Sequence, residues 1–185
     1  MNKKIKAIRL AFDLTETEIA SLLNISNYKY KRIENGSIEI KFNLLILISI
    51  MYNIPIDMLV FDKFGLEEVL SSKSISNIKN MQKDKILSVL LNNLCRFNGM
   101  NCYAINYRVT KNILKKCLDT FSNNLYNLRI KFSFEIFELA KEISVNVENY
   151  LNIERGICWP SINEVIHLSR IFSISINELL FVIIK

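Results

Sequence analysis

Shifted by 120 residues, the two ends of this chain align without a gap. Over residues 5–60, 14 of 56 positions are identical to the residue 120 places on. Arg9 falls on Arg129, Phe12 on Phe132, Glu18 on Glu138, Ala20 on Ala140 and Tyr30 on Tyr150. Ile33-Glu34 falls on Ile153-Glu154, Gly36 on Gly156, Ile54 on Ile174 and Leu59 on Leu179. These are positions that a small helical domain needs for packing and turns, so the pattern reads as one domain present twice. The 185 residues are enough for one larger or two small domains.

Within copy one, Ile5, Ile8 and Phe12 share one face of a first helix. Thr15 followed by Glu18 is a capping box and predicts the start of a second helix. Ile19, Ala20, Leu22 and Leu23 fill its inner side. Asn24-Ile25-Ser26 makes a turn, and Ser26 can cap a third helix. That helix buries Tyr30 and Ile33 and stops at Gly36, which can take the left-handed conformation. A fourth helix follows within 42–52. A fifth lies near 56–61, with Pro55 or Ile56 near its start. The apolar run from Phe42 to Ile56 is interrupted by Asn43, Ser49 and Asn53 and is shorter than the roughly 20 residues that span a bilayer, so it predicts a buried core helix.

The segment between the copies, 65–123, reads as helical at 66–72, 75–97 and 110–121, broken at Asn98-Gly99. Ile78, Met81, Ile86, Leu87, Val89, Leu90, Leu91 and Leu94 give it a wide apolar stripe, read as a core joining the end domains or as a dimer seam. Half of the chain is apolar, with 4 Gly and 2 Pro in 185 residues, which fits a helix-rich globular protein. The net charge of +6 is uneven. Residues 1–64 carry nine Lys/Arg and seven Asp/Glu, residues 65–123 nine and four, and residues 124–185 six and seven. An excess of this kind suits a polyanionic partner. Tyr103, Tyr107 and Arg108 interleave aromatics with charge, a pattern able to stack on bases.

Taken jointly, the Arg of helix one, "TETEIA", the small Ala20, "NIS", "RIENG" and "NIPIDML" resemble the Cro/repressor-type (XRE-like) helix-turn-helix domain. In copy two "ERG", Pro160-Ser161 and "FSISINELL" resemble the same domain. The resemblance implies an all-α chain: two five-helix, lambda-repressor-like helix-turn-helix domains, at 1–64 and 124–185, joined by a basic helical connector at 65–123. It also implies that Arg9 with Glu34, and Arg129 with Glu154, form structural ion pairs tying helix one to the end of helix three. The first residues of helix three, within 27–35, would enter the major groove of double-stranded DNA. Asn27 and Tyr28 become base-reading candidates, with Lys29, Lys31 and Arg32 reaching bases or phosphates; Asn can pair with adenine and Arg with guanine. Asn35 is placed to bond a phosphate through its amide or backbone N–H. Thr17 and Lys41 complete the expected DNA-binding set. Glu16 stands where the family often carries Gln; a carboxylate there favours the helix dipole but repels phosphate.

Copy two keeps the anchors and loses the lysines. Ile136, Phe137, Val147, Glu148 and Leu151 combine apolar groups with an acid where a DNA face would be basic, which suits a dimer or partner-protein surface. The alternative at Ile136 and Phe137 is packing on the connector. The apolar tail from Glu178 to Lys185 is expected to dock on the core or on a second subunit.

These features point to a sequence-specific transcriptional regulator of repressor type, acting as a homodimer. The competing reading is an anti-CRISPR-type inhibitor or adaptor of phage or mobile-element origin, using protein contacts on the same chassis. Single-stranded or RNA binding through the connector is a third. No phosphate loop, nucleophile with a base or spaced carboxylate pair suggests an enzyme. Cys95, Cys102, Cys117 and Cys158 form no CxxC pair and His167 stands apart, so neither metal nor cofactor is expected. The cysteines read as reduced thiols in small apolar roles, and His167 as structural. Lys3, Lys4 and Lys6 run into a stretch broken by Arg9 and Asp13, so no leader, no membrane and a cytoplasmic setting, bacterial or phage-infected, are expected.

Overall fold

The computed structural model describes residues 1–79, 81–97 and 107–184, all helix and connecting turn. In chain order the helices are α1 (Asn2–Ala11), α2 (Glu16–Leu22), α3 (Asn27–Glu34), α4 (Phe42–Tyr52), α5 (Ile56–Val60), α6 (Leu66–Ser71) and α7 (Lys73–Lys79). Then come α8 (Lys83–Phe97), α9 (Tyr107–Lys131), α10 (Ile136–Glu142), α11 (Val147–Glu154), α12 (Ile162–Phe172) and α13 (Ile176–Phe181). None of them is long and apolar enough to cross a membrane. Contacts divide the chain into two compact units: residues 1–40 with 44–113, and residues 41–43 with 114–185.

In the first unit, α4 is apolar nearly all round and forms the centre. Leu45, Ile46, Leu47, Ile48, Met51 and Tyr52 are buried, the behaviour expected of a helix enclosed on every side. Ile5, Ile8 and Phe12 of α1 are buried, as are Ile19, Ala20 and Leu23 around α2. Lys4 is buried too: its Nζ donates to the carbonyls of Met58 (3.0 Å) and Phe61 (2.8 Å), closing the end of α5. Burial lowers the Lys4 pKa, against the pull of Asp62 and Glu68. The segment after α5 folds back on this domain. Lys83 at the start of α8 pairs with Glu18 of α2 at 3.1 Å, and Asn93 Nδ2 donates to the Met51 carbonyl at 2.9 Å.

In the second unit, α10 to α13 begin and end with turns like those of α2 to α5. Among the described residues, the left-handed ones are Asp13, Asn24, Gly36 and Asn53, and then Ser133, Ser144, Gly156 and Ser173. Each of the second four stands 120 places after one of the first. Ser49 Oγ donates to the carbonyl of Ile54, and Ser169 Oγ to that of Ile174. The C-terminal tail docks on α9 through one buried side chain. Asn124 Nδ2 donates to the carbonyls of Leu179 and Val182, and its Oδ1 accepts from Ile184 N. Asn127 Nδ2 donates to the Ile184 carbonyl at 2.6 Å.

Several expectations change. The span 75–97 is not one helix: α7 ends at Lys79 and α8 starts at Lys83, with Gln82 giving the carbonyl that Ile86 N uses in the first turn. The expected helix at 110–121 and the first helix of copy two are one element, the 25-residue α9. It holds no Pro or Gly to stop it. The expected boundary at 123/124 therefore lies inside a helix. Asn98, Gly99, Cys102 and Tyr103 lie outside the described residues. Cys117 is free and buried and Cys158 free and exposed, whereas Cys95 is disulfide-bonded, so the reading of all cysteines as reduced thiols fails at Cys95. His167 lies on the exposed side of α12 rather than in the core.

Candidate nucleic-acid interface

The site is built on α2 and α3. Thr15 caps α2: its Oγ1 accepts from Glu18 N at 3.2 Å, while Thr15 N donates to Glu18 Oε2 at 2.7 Å. Burial works against the Glu18 carboxylate, but the Thr15 bonds and the Lys83 ammonium outweigh it and hold its pKa below the ordinary value. Asn24 then turns the chain at φ 54°, a region that Asn tolerates better than most residues. Ser26 Oγ accepts from Lys29 N at 3.2 Å and starts α3.

Inside α3, Tyr30, Ile33 and Glu34 are buried. Glu34 takes two bonds from Arg9, Nε to Oε1 at 2.8 Å and Nη2 to Oε2 at 2.7 Å, with the two side chains 8% and 3% exposed. Arg9 Nη1 also donates to the Leu14 carbonyl at 2.7 Å. The bond to Glu34 leads in raising the Arg9 pKa against the cost of burial, and Tyr30 and Glu16 add to it. All three directions of the guanidinium are thus engaged, and Arg9 is not available to a ligand. Arg129 and Glu154 repeat the pair at 2.7 Å.

With the inner face spent, α3 presents Asn27, Tyr28, Lys29 and Lys31 to solvent, and Arg32 at the edge. Tyr28 is 71% exposed, and the Arg32 guanidinium stacks over its ring at 5.6 Å from the centroid. The sequence signal of this aromatic–cation pair is its spacing of four on one helix face. Asn35 is more restricted than expected. Its backbone N–H bonds to the Lys31 carbonyl, and its Oδ1 accepts from Ser37 N (3.0 Å) and Ser37 Oγ (2.7 Å). Only Nδ2 remains for a phosphate. Thr17 is exposed, and with Glu18, Ser21 and Leu22 it lines a groove whose other wall is Leu87, Ser88 and Leu91 of α8. Lys41 is exposed and clusters with the second unit.

A helix-turn-helix family model matches residues 5–59, which takes in α1 to α5. Residues 5–59 are a helix-turn-helix domain of the DNA-binding, XRE type. No curated protein and no solved structure matches the chain. In this helix-turn-helix domain α2 and α3 are the two motif helices, and the Asn27-to-Arg32 face belongs to the second of them.

At the corresponding positions of the second unit the chemistry differs. Phe137 is 61% exposed, Val147 and Glu148 are exposed, and Ile136 and Leu151 are half-buried. Helix α11 has no lysine. Asn146 rather than Ser caps it, its Oδ1 accepting from Asn149 N at 2.7 Å.

Proposed function

We propose that the chain is a sequence-specific, double-stranded DNA-binding transcriptional regulator of repressor type, reading the major groove with α3 and acting as a pair of copies. The observation that carries this is the division of α3. Its inner side is fully committed to Tyr30, Ile33 and the Glu34–Arg9 pair, and its outer side collects Asn27, Tyr28, Lys29, Lys31 and Arg32. A basic face on the second helix of a helix-turn-helix is the electrostatic footprint of groove binding. Paired copies would place two α3 helices about 34 Å apart on a pseudo-palindrome. Residues 124–185 are read as a degenerate second copy of the same domain. The left-handed residues and the Arg–Glu pair recurring at an offset of 120 support that reading.

The test is selection of duplexes from a random pool, followed by titration at several salt concentrations. The reading expects enriched half-sites and binding that weakens steeply with salt. No duplex binding at low salt, or unchanged affinity in the Lys31→Ala/Arg32→Ala variant, refutes it.

A second reading is an anti-CRISPR-type inhibitor or adaptor acting through protein contacts. The exposed Phe137 and Val147 beside Glu148 favour it. Under that reading Glu148→Lys abolishes inhibition of the target protein and leaves duplex affinity unchanged. Equal inhibition by both proteins counts against it.

A further inference from the structure

Helix α11 occupies the place of α3 in the second unit's helix order but presents a different outer face. Val147, Glu148, Leu151 and Arg155 follow the spacing i, i+1, i+4, i+8, which gathers them on one side. Tyr150 and Ile153 are buried on the other. Val147, Glu148 and Arg155 are exposed, Leu151 is half-buried, and Ile157 just beyond the helix is 66% exposed. Among the described residues, Glu148 and Arg155 take part in no ion pair within the chain.

We infer that this face is where two copies of the chain meet, through an isologous contact of α11 with itself. The charge order identifies the occupant. The helix carries an acid in its first turn, an apolar residue at its middle and a base at its C-cap. Laying a second α11 antiparallel about Leu151 sets the two Leu151 side chains against each other. The same operation sets position 148 opposite position 154, one residue from the other copy's Arg155, so each Glu148 reaches that arginine, and two-fold symmetry makes the pair occur twice. The helix dipoles then lie antiparallel, each positive end beside the other's negative end. Applied to α3, the operation would put Lys31 against Lys31, so the self-complementary order belongs to α11 and not to the basic helix. Val147 and Leu151 supply the apolar centre, while the charges at its edge fix register and orientation. The face is small beside the roughly 1,600 Å² of a standard interface, so the dimer is weak and concentration-dependent.

The inference rests on the paired-copy part of the reading above and not on its DNA part. Sedimentation velocity of the full chain without DNA tests it, with helix content followed by circular dichroism. A dimer fraction rising through the micromolar range is expected. Glu148→Arg alone, or Arg155→Glu alone, places like charges together twice and weakens association by roughly tenfold or more. The double variant restores opposite charges and returns to near the parent affinity. A chain that stays monomeric overturns the inference. So does a dimer indifferent to both single changes, or a double variant as weak as the singles. Loss of duplex binding with the charge-swap pattern intact refutes only the regulator reading. A monomer that still selects a duplex refutes this inference and the paired-copy part of that reading, and leaves its DNA part standing.

Discussion

Arg32 carries the most information of any residue on α3. Its guanidinium rests over the Tyr28 ring before any ligand arrives, which reduces the ordering cost of placing it in a groove. An arginine so held can address guanine O6 and N7 together. Arg32→Ala is therefore expected to cost about 1–3 kcal/mol on the best selected duplex and to erase a guanine preference at one position. Arg32→Lys keeps the charge and loses the fork, so preference falls more than affinity at low salt. Fluorescence anisotropy over a set of single-base variants measures both; a loss equal across all of them marks Arg32 as a phosphate contact. Glu34 acts through stability. Glu34→Gln strands the buried Arg9 charge and should destabilise the first unit by on the order of 3 kcal/mol in chemical denaturation. The Arg9–Glu34 partnership was legible in the sequence, because the repeat keeps both partners 120 residues on. Lys4 was not. It reads as one of three N-terminal positive charges, yet it is buried and closes α5, while Lys3 and Lys6 are exposed. Nothing local separates a lysine on solvent from a lysine on carbonyl groups 54 and 57 residues away.

At the scale of elements, the capping signals read from the sequence match the helix starts closely, because an N-cap is a local hydrogen bond. Thr15 and Ser26 cap where expected. Thr15→Ala should cost about 1 kcal/mol, and Thr15→Ser much less. Glu18 adds a pH dependence of defined sign. Its folded pKa is lowered, so its contribution is complete above its ordinary value of 4.5 and is lost as pH falls through the lower folded value. In Glu18→Gln that acid-side loss should shrink, read as a smaller change in denaturation midpoint below pH 4.5. Gly36 closes α3 at φ 80°, where an added Cβ would also stand 3.3 Å from Asn2 Nδ2. Gly36→Ala is accordingly expected to cost about 1 kcal/mol, chiefly through its left-handed backbone. What the sequence hid were turns without glycine and a junction without a break. Ser133, Ser144 and Ser173 take left-handed conformations that serine seldom signals. Ser122-Asn123-Asn124 stands at the expected boundary between connector and second copy. It is instead the middle of α9, with Asn124 buried because it satisfies backbone groups of the tail. A buried asparagine and a linker asparagine are the same letter until the long-range partner is known.

Across the whole molecule, the positive charge is unequally shared between segments, and its placement separates two kinds of contribution to binding. Lys29 and Lys31 are exposed on α3, while Arg9 and Lys4 are consumed by the fold. Total charge therefore overstates what a polyanion can meet. Phosphate contacts release counterions, so each one adds about 0.9 to the slope of log affinity against log salt. Replacing Lys29 or Lys31 by Gln should lower that slope by about 1 per residue that touches phosphate, with the loss spread evenly over all sequences. Replacing Lys4 by Gln should leave the slope unchanged and lower the unfolding midpoint, because its ammonium bonds to Met58 and Phe61 rather than to solvent. Anisotropy titrations at four or more salt concentrations, run beside denaturation curves, distinguish the two. A slope that fails to move for both Lys29→Gln and Lys31→Gln would show that the outward face of α3 does not lie against a phosphate backbone, whatever else binds there.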